Sequence, residues 1–259
     1  VSELLKVSHV TRRFGGLVAV NDISFAIAER EIVSVIGPNG AGKSTLFKLI
    51  SSFLRPSGGE VLLRGERISG LAPHIVARKG VVRTFQETTI FKGMTVRDNV
   101  IIAHHLRSTA SLAGFFLGSA AARRDEHQFG SSADEILDFL DLGGIKDEIA
   151  SNLPHGLLRA LGIAIGLATG PTVLLLDEPF AGMNHAETKR AVELVRAVRE
   201  RGVTVLLVEH DMPAVMRISD RVVVLNFGEK IAEGTPAEIQ RNEKVIEAYL
   251  GSEDETIGI

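Results

Sequence analysis

The sequence predicts an α/β fold built on a parallel sheet with helices covering both faces. Two observations carry this. Three short runs, Glu31–Ile36, Thr172–Leu176 and Val203–Val208, are nearly continuous in β-branched residues and leucine, the pattern of strands buried on both faces. The chain also holds 26 Gly against 12 Phe, one Tyr and no Trp, so glycine turns punctuate the apolar strands. Each run ends in polar residues: a glycine loop, Asp177-Glu178, and Glu209-His210-Asp211. Ligands of such sheets bind at the carboxyl ends of the strands, so all three runs point to one site.

The elements follow in order. The first 30 residues alternate, as in Leu4-Leu5-Lys6-Val7-Ser8-His9-Val10, and predict antiparallel strands. Glu31–Ile36 leads through the glycine loop into a helix over Thr45–Phe53. Val81-Val82-Arg83-Thr84-Phe85 brings Gln86 to the end of another strand-like run. From about Gly93 to Asp147 the pattern is helical, as in Ala133–Leu140, with no strong strand. This stretch predicts a helical subdomain inserted into the α/β core. Ala186–Arg201 is an amphipathic helix with Ala191, Leu194, Val195 and Val198 on one stripe. Ser252-Glu253-Asp254-Glu255 reads as a solvated end, and no internal repeat is visible.

Composition bounds the function. At 259 residues the chain fits one large domain or two small ones. With 45% apolar and 24% charged residues, disorder, collagen-like repeats and coiled coil are excluded as the main architecture. A net charge of -3 disfavours holding duplex nucleic acid by phosphate neutralisation. The absence of cysteine excludes disulfides, thiolate zinc sites and cysteine nucleophiles, and suits a reducing cytosol. Mean hydropathy is +0.18, high enough to ask about membrane spans. The longest uncharged runs are Ser108–Ala122 (15 residues) and Ala160–Leu176 (17 residues), the second broken by Gly170-Pro171. A span needs roughly 20 mostly apolar residues. The start, with Glu3, Lys6, Arg12 and Arg13, shows no apolar signal core. The chain is expected to stay in the cytosol while carrying more apolar surface than an ordinary enzyme needs.

The strongest motif is Gly37-Pro38-Asn39-Gly40-Ala41-Gly42-Lys43-Ser44, a match to G-x-x-x-x-G-K-[ST] placed between a buried strand and a helix. That context confirms a phosphate loop. Its glycines let backbone N–H groups converge on phosphate oxygens, and the helix start adds partial positive charge. Lys43 reaches the β- and γ-phosphates, and Ser44 can hold Mg²⁺. Of Asp177 and Glu178, one acid can hold the metal through water and the other polarise an attacking water. Alone, the pair would equally suit a helix N-cap. His210 stands where an imidazole can touch a γ-phosphate, or it is a satisfied loop histidine. Gln86 either senses metal and water or is a solvated amide. His104-His105 lacks the i, i+4 spacing of a helical metal pair, Gly162–Gly166 fits a packed helix better than a membrane face, and Arg123-Arg124 reads as a solvated face.

Together these residues resemble an ATP-binding cassette ATPase: Phe14, the phosphate loop, Gln86, a signature region, Asp177-Glu178, Asn184 and His210 come in that family's order. Finer features are similar to the ATPase subunits of bacterial branched-chain amino acid importers. These are Arg13-Phe14-Gly15-Gly16-Leu17, Gly80–Gln86, Asp177–Asn184, Glu209-His210-Asp211-Met212, and the stretches Ile231–Pro236 and Val245–Gly251. The resemblance covers essentially the whole chain. It implies a P-loop NTPase fold with a RecA-like parallel sheet core, an N-terminal antiparallel β subdomain and an inserted helical subdomain. The cassette would be one domain over residues 1–251, with α/β parts at about 1–92 and 170–251, a helical part at about 93–169, and a tail at 252–259.

The resemblance also implies roles. ATP and Mg²⁺ are the expected ligands. Phe14 would stack on adenine, and Gly37, Pro38, Asn39, Gly40, Ala41, Gly42, Lys43, Ser44 and Thr45 would hold the phosphates. Ser44, Gln86 and Asp177 would serve the metal, with Gln86 coupling the site to the transport partner. Glu178 would be the catalytic base, and His210 would contact the γ-phosphate. Asn184, where many cassettes have Asp, would lie in a loop crossing a dimer interface. Two integral-membrane permease subunits, a second ATPase subunit (a heterodimer, or a homodimer) and indirectly a periplasmic binding protein are the expected partners. Nucleic acid is not. The expected location is cytoplasmic, peripheral on the inner face of the bacterial membrane.

The signature departs from the family pattern Leu-Ser-x-Gly-Gln, in which this branch often has Pro in place of Ser and Tyr before Gly. It reads Leu153-Pro154-His155-Gly156-Leu157, and Leu157 replaces Gln, Ala160 a usual Arg, Gly162 a usual Glu and Ile165 a usual Arg. Pro154 brings no hydroxyl or N–H, although the Gly156 backbone at a helix start can still address a phosphate. In that family each signature completes the partner's site, so an asymmetric pair is expected, with hydrolysis on the Lys43 site. The competing reading is a cassette ATPase acting without a permease in a cytosolic regulatory or nucleic-acid process. The single cassette and the charge of -3 count against it. An ordinary P-loop kinase or GTPase is disfavoured by the lack of N-K-x-D and the presence of His210.

Overall fold

Two sheets organise the computed structural model, which describes residues 3–84, 90–105 and 120–254. The first is antiparallel. Strands β1 (Glu3–Phe14) and β2 (Leu17–Ala28) form a hairpin across Gly15-Gly16. β4 (Gly58–Leu63) and β5 (Glu66–Arg67) complete the order β2-β1-β4-β5. The alternation read in the first 30 residues therefore becomes the expected antiparallel strands.

The second sheet has six strands in the order β10-β9-β3-β8-β7-β6. β3 (Ile32–Ile36), β6 (Val81–Arg83), β7 (Val173–Asp177), β8 (Thr204–Val208) and β9 (Arg221–Asn226) are parallel. β10 (Glu229–Gly234) adds an antiparallel edge. Strand side chains alternate between faces, and here both faces are core. Leu174, Leu176, Val205 and Leu207 join one apolar cluster, while Val173, Leu175, Leu206 and Val208 join the other. This is why the three runs are almost wholly apolar, with Ser34 and Thr204 as buried polar exceptions.

The second cluster lies between the two sheets and includes Leu46, Phe47, Leu49 and Ile50 of α1 (Lys43–Ile50). The first is built with α3 (Val96–His104), α4 (Ala120–Phe139), α5 (His155–Ala168) and α6 (His185–Glu200). Between β6 and β7 the described residues carry helices and no sheet strand, as the helical pattern predicted. Arg97 clamps α3 to α4 through two hydrogen bonds to Asp134, at 2.9 and 3.0 Å, with Lys146 at 3.4 Å. The remaining helices are α2 (Pro73–Arg78), α7 (Met212–Ile218), α8 (Pro236–Ile239) and α9 (Glu243–Asp254).

Several boundaries move. α1 begins at Lys43, not Thr45, and stops at Ile50, not Phe53. Ser51 caps it by bonding back to the Phe47 carbonyl at 2.6 Å, and Ser52 turns to φ 59. α6 begins one residue earlier than expected, because Asn184 caps it. α9 runs to Asp254, past Gly251, so the acidic stretch begins within a helix. The run Ala160–Leu176 divides into the end of α5, a turn with Gly170 at φ 65, and β7. Most of the run Ser108–Ala122 lies outside the described residues. Among the described residues, no helix is long and apolar enough to cross a membrane.

Candidate active site

Sheet order assembles the site. β8 lies between β3 and β7, so the ends of the three predicted strands are neighbours. Val35, Val208 and Asp177 stand in one register row across them. The glycine loop, the His210 turn and Asp177-Glu178 leave the sheet from this edge. The Glu178 N–H donates to the Val208 carbonyl at 2.9 Å, fixing the last two together.

The loop from Gly37 to Gly42 has glycine where no other residue fits. A Cβ on Gly37 would stand 2.1 Å from the Leu225 carbonyl oxygen of β9, and one on Gly42 would stand 2.5 Å from the Ala19 oxygen of β2. Both also hold positive φ, at 150 and 98, so the loop is pinned between the two sheets in a conformation that L side chains resist. The Lys43 Nζ donates to the Gly37 and Pro38 carbonyls, at 2.6 and 2.9 Å, and so curls back over its own loop. Burial pushes its pKa down, while the charge of Glu178 acts the other way. Ser44 is exposed and Thr45 half-buried in the first turn of α1. At the loop's back, burial raises the phenol pKa of Tyr249 on α9, with the Gly37 backbone opposing the shift.

Asp177 and Glu178 are not a helix cap. α6 starts only at His185, where Asn184 and Glu187 make a reciprocal capping box with the Asn184 oxygen 3.0 Å from the Ala186 and Glu187 N–H groups. Asp177 instead accepts from Arg83 of β6 at 2.5 Å, in a nearly buried pair. Glu178 takes φ 49, a left-handed backbone costing about 1–3 kcal/mol outside glycine. The fit to Mg²⁺ is good in donor chemistry. A carboxylate already seated against a cation and a hydroxyl at an exposed helix start are the hard oxygen ligands that the ion takes.

His210 is 64% exposed by its side chain, and its N–H is held by the Glu209 carboxylate at 3.0 Å. The imidazole is therefore presented to solvent, with its Nδ1 3.9 Å from the same carboxylate. Phe14 is 43% exposed at the tip of the β1–β2 hairpin, with the Arg12 guanidinium 4.6 Å from its ring centroid, so it is no core residue. The same hairpin's Ala19 backs the phosphate loop, which sets Phe14 on the element beside the phosphates. Gln86 lies outside the described residues. In the signature, Leu153 is extended, Pro154 is the N-cap of α5, and His155, Gly156 and Leu157 form the first turn with no side-chain cap.

Two residues named in the sequence runs had no role assigned to them. Arg83 is a nearly buried cation held against Asp177, and Glu209 a buried acid held against the His210 turn. Glu209 could have been suspected as an acid closing a fully apolar run. Nothing in the sequence marks Arg83, because its partner depends on the β6–β7 register.

Sheet order and site define the class: a P-loop ATPase of the cassette type. Comparison with known proteins makes it particular. A sequence profile described as ABC transporter matches residues 20–181, and the chain belongs to that family. A second profile, described as branched-chain amino acid ATP-binding cassette transporter, matches residues 229–255. The chain is 47% identical over 250 residues to the high-affinity branched-chain amino acid transport ATP-binding protein BraF of Pseudomonas aeruginosa, covering 96% of this chain and 98% of that one. It is 44% identical to LivG of Escherichia coli, a protein with the same description, with the same two coverages. A nucleotide-free ATP-binding cassette from an ABC transporter superposes with a TM-score of 0.85 at 29% identity, covering 96% of this chain and 99% of that one. The ADP conformation of the cassette MJ1267 gives 0.85 at 28%, covering 97% and 100%. Membership carries ATP binding and ATP hydrolysis coupled to transport.

Proposed function

We propose that the chain is the ATP-hydrolysing subunit of a bacterial importer for branched-chain amino acids or a related small solute. The observation that supports it most is the meeting of the Lys43 loop, Asp177-Glu178 and His210 at the carboxyl ends of three adjacent strands. The likeness to BraF and LivG, with the profile match over residues 229–255, supports the solute class.

In this reading Lys43 leaves the Gly37 and Pro38 carbonyls for the β- and γ-phosphate oxygens, which the loop N–H groups and the start of α1 also address. Phe14 offers a ring face to adenine. Glu178 takes the proton of the attacking water, and its N–H bond to the Val208 carbonyl fixes the backbone that carries the carboxylate. His210 holds the γ-phosphate. Ser44, Asp177 and Gln86 would hold Mg²⁺, which would supply positive charge against the phosphates. Catalysis is then positioning and electrostatics, as in phosphoryl transfer generally.

The helical part, about residues 93–169, and the Gln86 segment would form a groove for a cytoplasmic helix of one of two permease subunits. A second ATPase, most simply a different chain, would face this one, with Leu153–Leu157 and Asn184 at the interface and a periplasmic binding protein delivering solute. The assembly would sit on the inner face of the cytoplasmic membrane. Because Leu157 replaces the usual Gln, and Ala160, Gly162 and Ile165 replace usual charged residues, the partner's nucleotide would be hydrolysed poorly and the Lys43 site well.

The test is purification of the assembled complex from detergent extract, followed by identification of its binding protein's ligand. Two co-purifying permease subunits and a bound branched-chain amino acid or similar small solute are expected. Failure to co-purify with any membrane protein would overturn the reading.

A further inference from the structure

One buried acid has no part in the chemistry above. Glu209 closes β8 and is 1% exposed. A carboxylate so placed must be hydrogen-bonded or paired. Its Oε1 accepts the Phe180 N–H at 2.7 Å, and its Oε2 accepts the His210 N–H at 3.0 Å and the Asp211 N–H at 3.5 Å. The His210 Nδ1 stands 3.9 Å from the same Oε2. Burial pushes the Glu209 pKa up, and these backbone donors offset only part of that rise.

The geometry joins two segments that no strand pairing joins. Phe180 lies two residues beyond Glu178, on the chain leaving β7. His210 begins the turn leaving β8. The parallel ladder ends at the Asp177–Val208 row, and the Glu178–Val208 bond extends it by one link. Past that point, the two oxygens of Glu209 form the bridge, one to each segment.

We propose that Glu209 is a positioning residue that sets the His210 imidazole at a fixed distance from Glu178 by clamping both backbone segments. This rests on the roles proposed above for Glu178 and His210. Two acceptor oxygens are required, because both sides present N–H donors. Glutamine keeps one acceptor and turns an NH₂ toward the other donor. Aspartate keeps the charge but is one methylene too short to span both segments. The hydrogen bonds of the Glu209 carboxylate go to the Phe180, His210 and Asp211 N–H groups and not to the phosphate loop, so nucleotide affinity should not depend on it.

The experiment measures ATP turnover of the assembled complex and binding of a fluorescent ATP analogue to the full chain. It compares wild type, Glu209→Gln, His210→Ala and the double variant. Glu209→Gln is expected to lower kcat about tenfold, with KM and analogue affinity within about twofold. The double variant should be no slower than His210→Ala alone, since both act through one imidazole. A Glu209→Gln kcat equal to wild type, a rise in KM with kcat kept, or losses that multiply in the double variant would overturn the clamp while leaving the site reading intact. Wild-type turnover in His210→Ala would overturn the role of His210 and the clamp with it. Should Glu209→Gln not fold, Glu209→Asp must give the same selective loss of kcat, and an unaltered kcat there overturns the proposal.

Discussion

Lys43 bonds to the carbonyls of its own loop, so phosphate has to replace those contacts rather than create the lysine's position. Lys43→Ala should abolish binding of an ATP analogue by the purified chain while leaving thermal unfolding close to wild type. Normal binding would remove Lys43 from the site. Gly37 behaves differently. A Cβ there meets the Leu225 carbonyl at 2.1 Å, and Gly37→Ala should cost stability, on the order of 2 kcal/mol or more, as well as nucleotide binding. Chemical denaturation measures the first and analogue titration the second. At this scale the sequence was informative wherever a residue's type states its job: the loop glycines, Lys43 and the paired acids. It was silent on Arg83, whose contact with Asp177 exists only because β6 pairs with β7 in this register.

The three parallel strands were legible because burial on both faces leaves an unbroken apolar signature. Helix ends were less so. α6 is set by the Asn184–Glu187 capping box, and α1 by a glycine N-cap and a serine stop. These are local hydrogen bonds that a hydrophobic stripe does not encode. Asn184→Ala should cost about 1 kcal/mol of stability, read by denaturant unfolding. In the helical part, Asp134 is held below the usual carboxylate range by its hydrogen bond to Arg97. Its contribution to stability is therefore present above its unfolded pKa and lost as pH falls through the lower folded one. The pair is about a third exposed, so the effect is modest. Asp134→Asn should be less stable than wild type at neutral pH, and the gap should begin to shrink below about pH 4 and close once the pH lies below the lowered folded pKa. A gap that persists there would contradict the ion pair's role.

For the whole molecule, the positive mean hydropathy has a physical source. Both faces of the six-stranded sheet are core, and the apolar run before Asp177 is a buried helix followed by a buried strand. The partners were legible only through the family resemblance. No residue pattern states which surface meets a permease, and Gln86, on which that coupling depends in this reading, lies outside the described residues. The central claim is that this chain's own site, built on Lys43 and Glu178, carries the turnover of the assembled transporter. Glu178→Gln in that complex tests it most directly, with bound nucleotide and ATP hydrolysis measured on the same preparation. The account predicts that ATP is retained in a closed pair of cassettes and that turnover is almost lost. Turnover largely intact with Glu178 neutralised would contradict it.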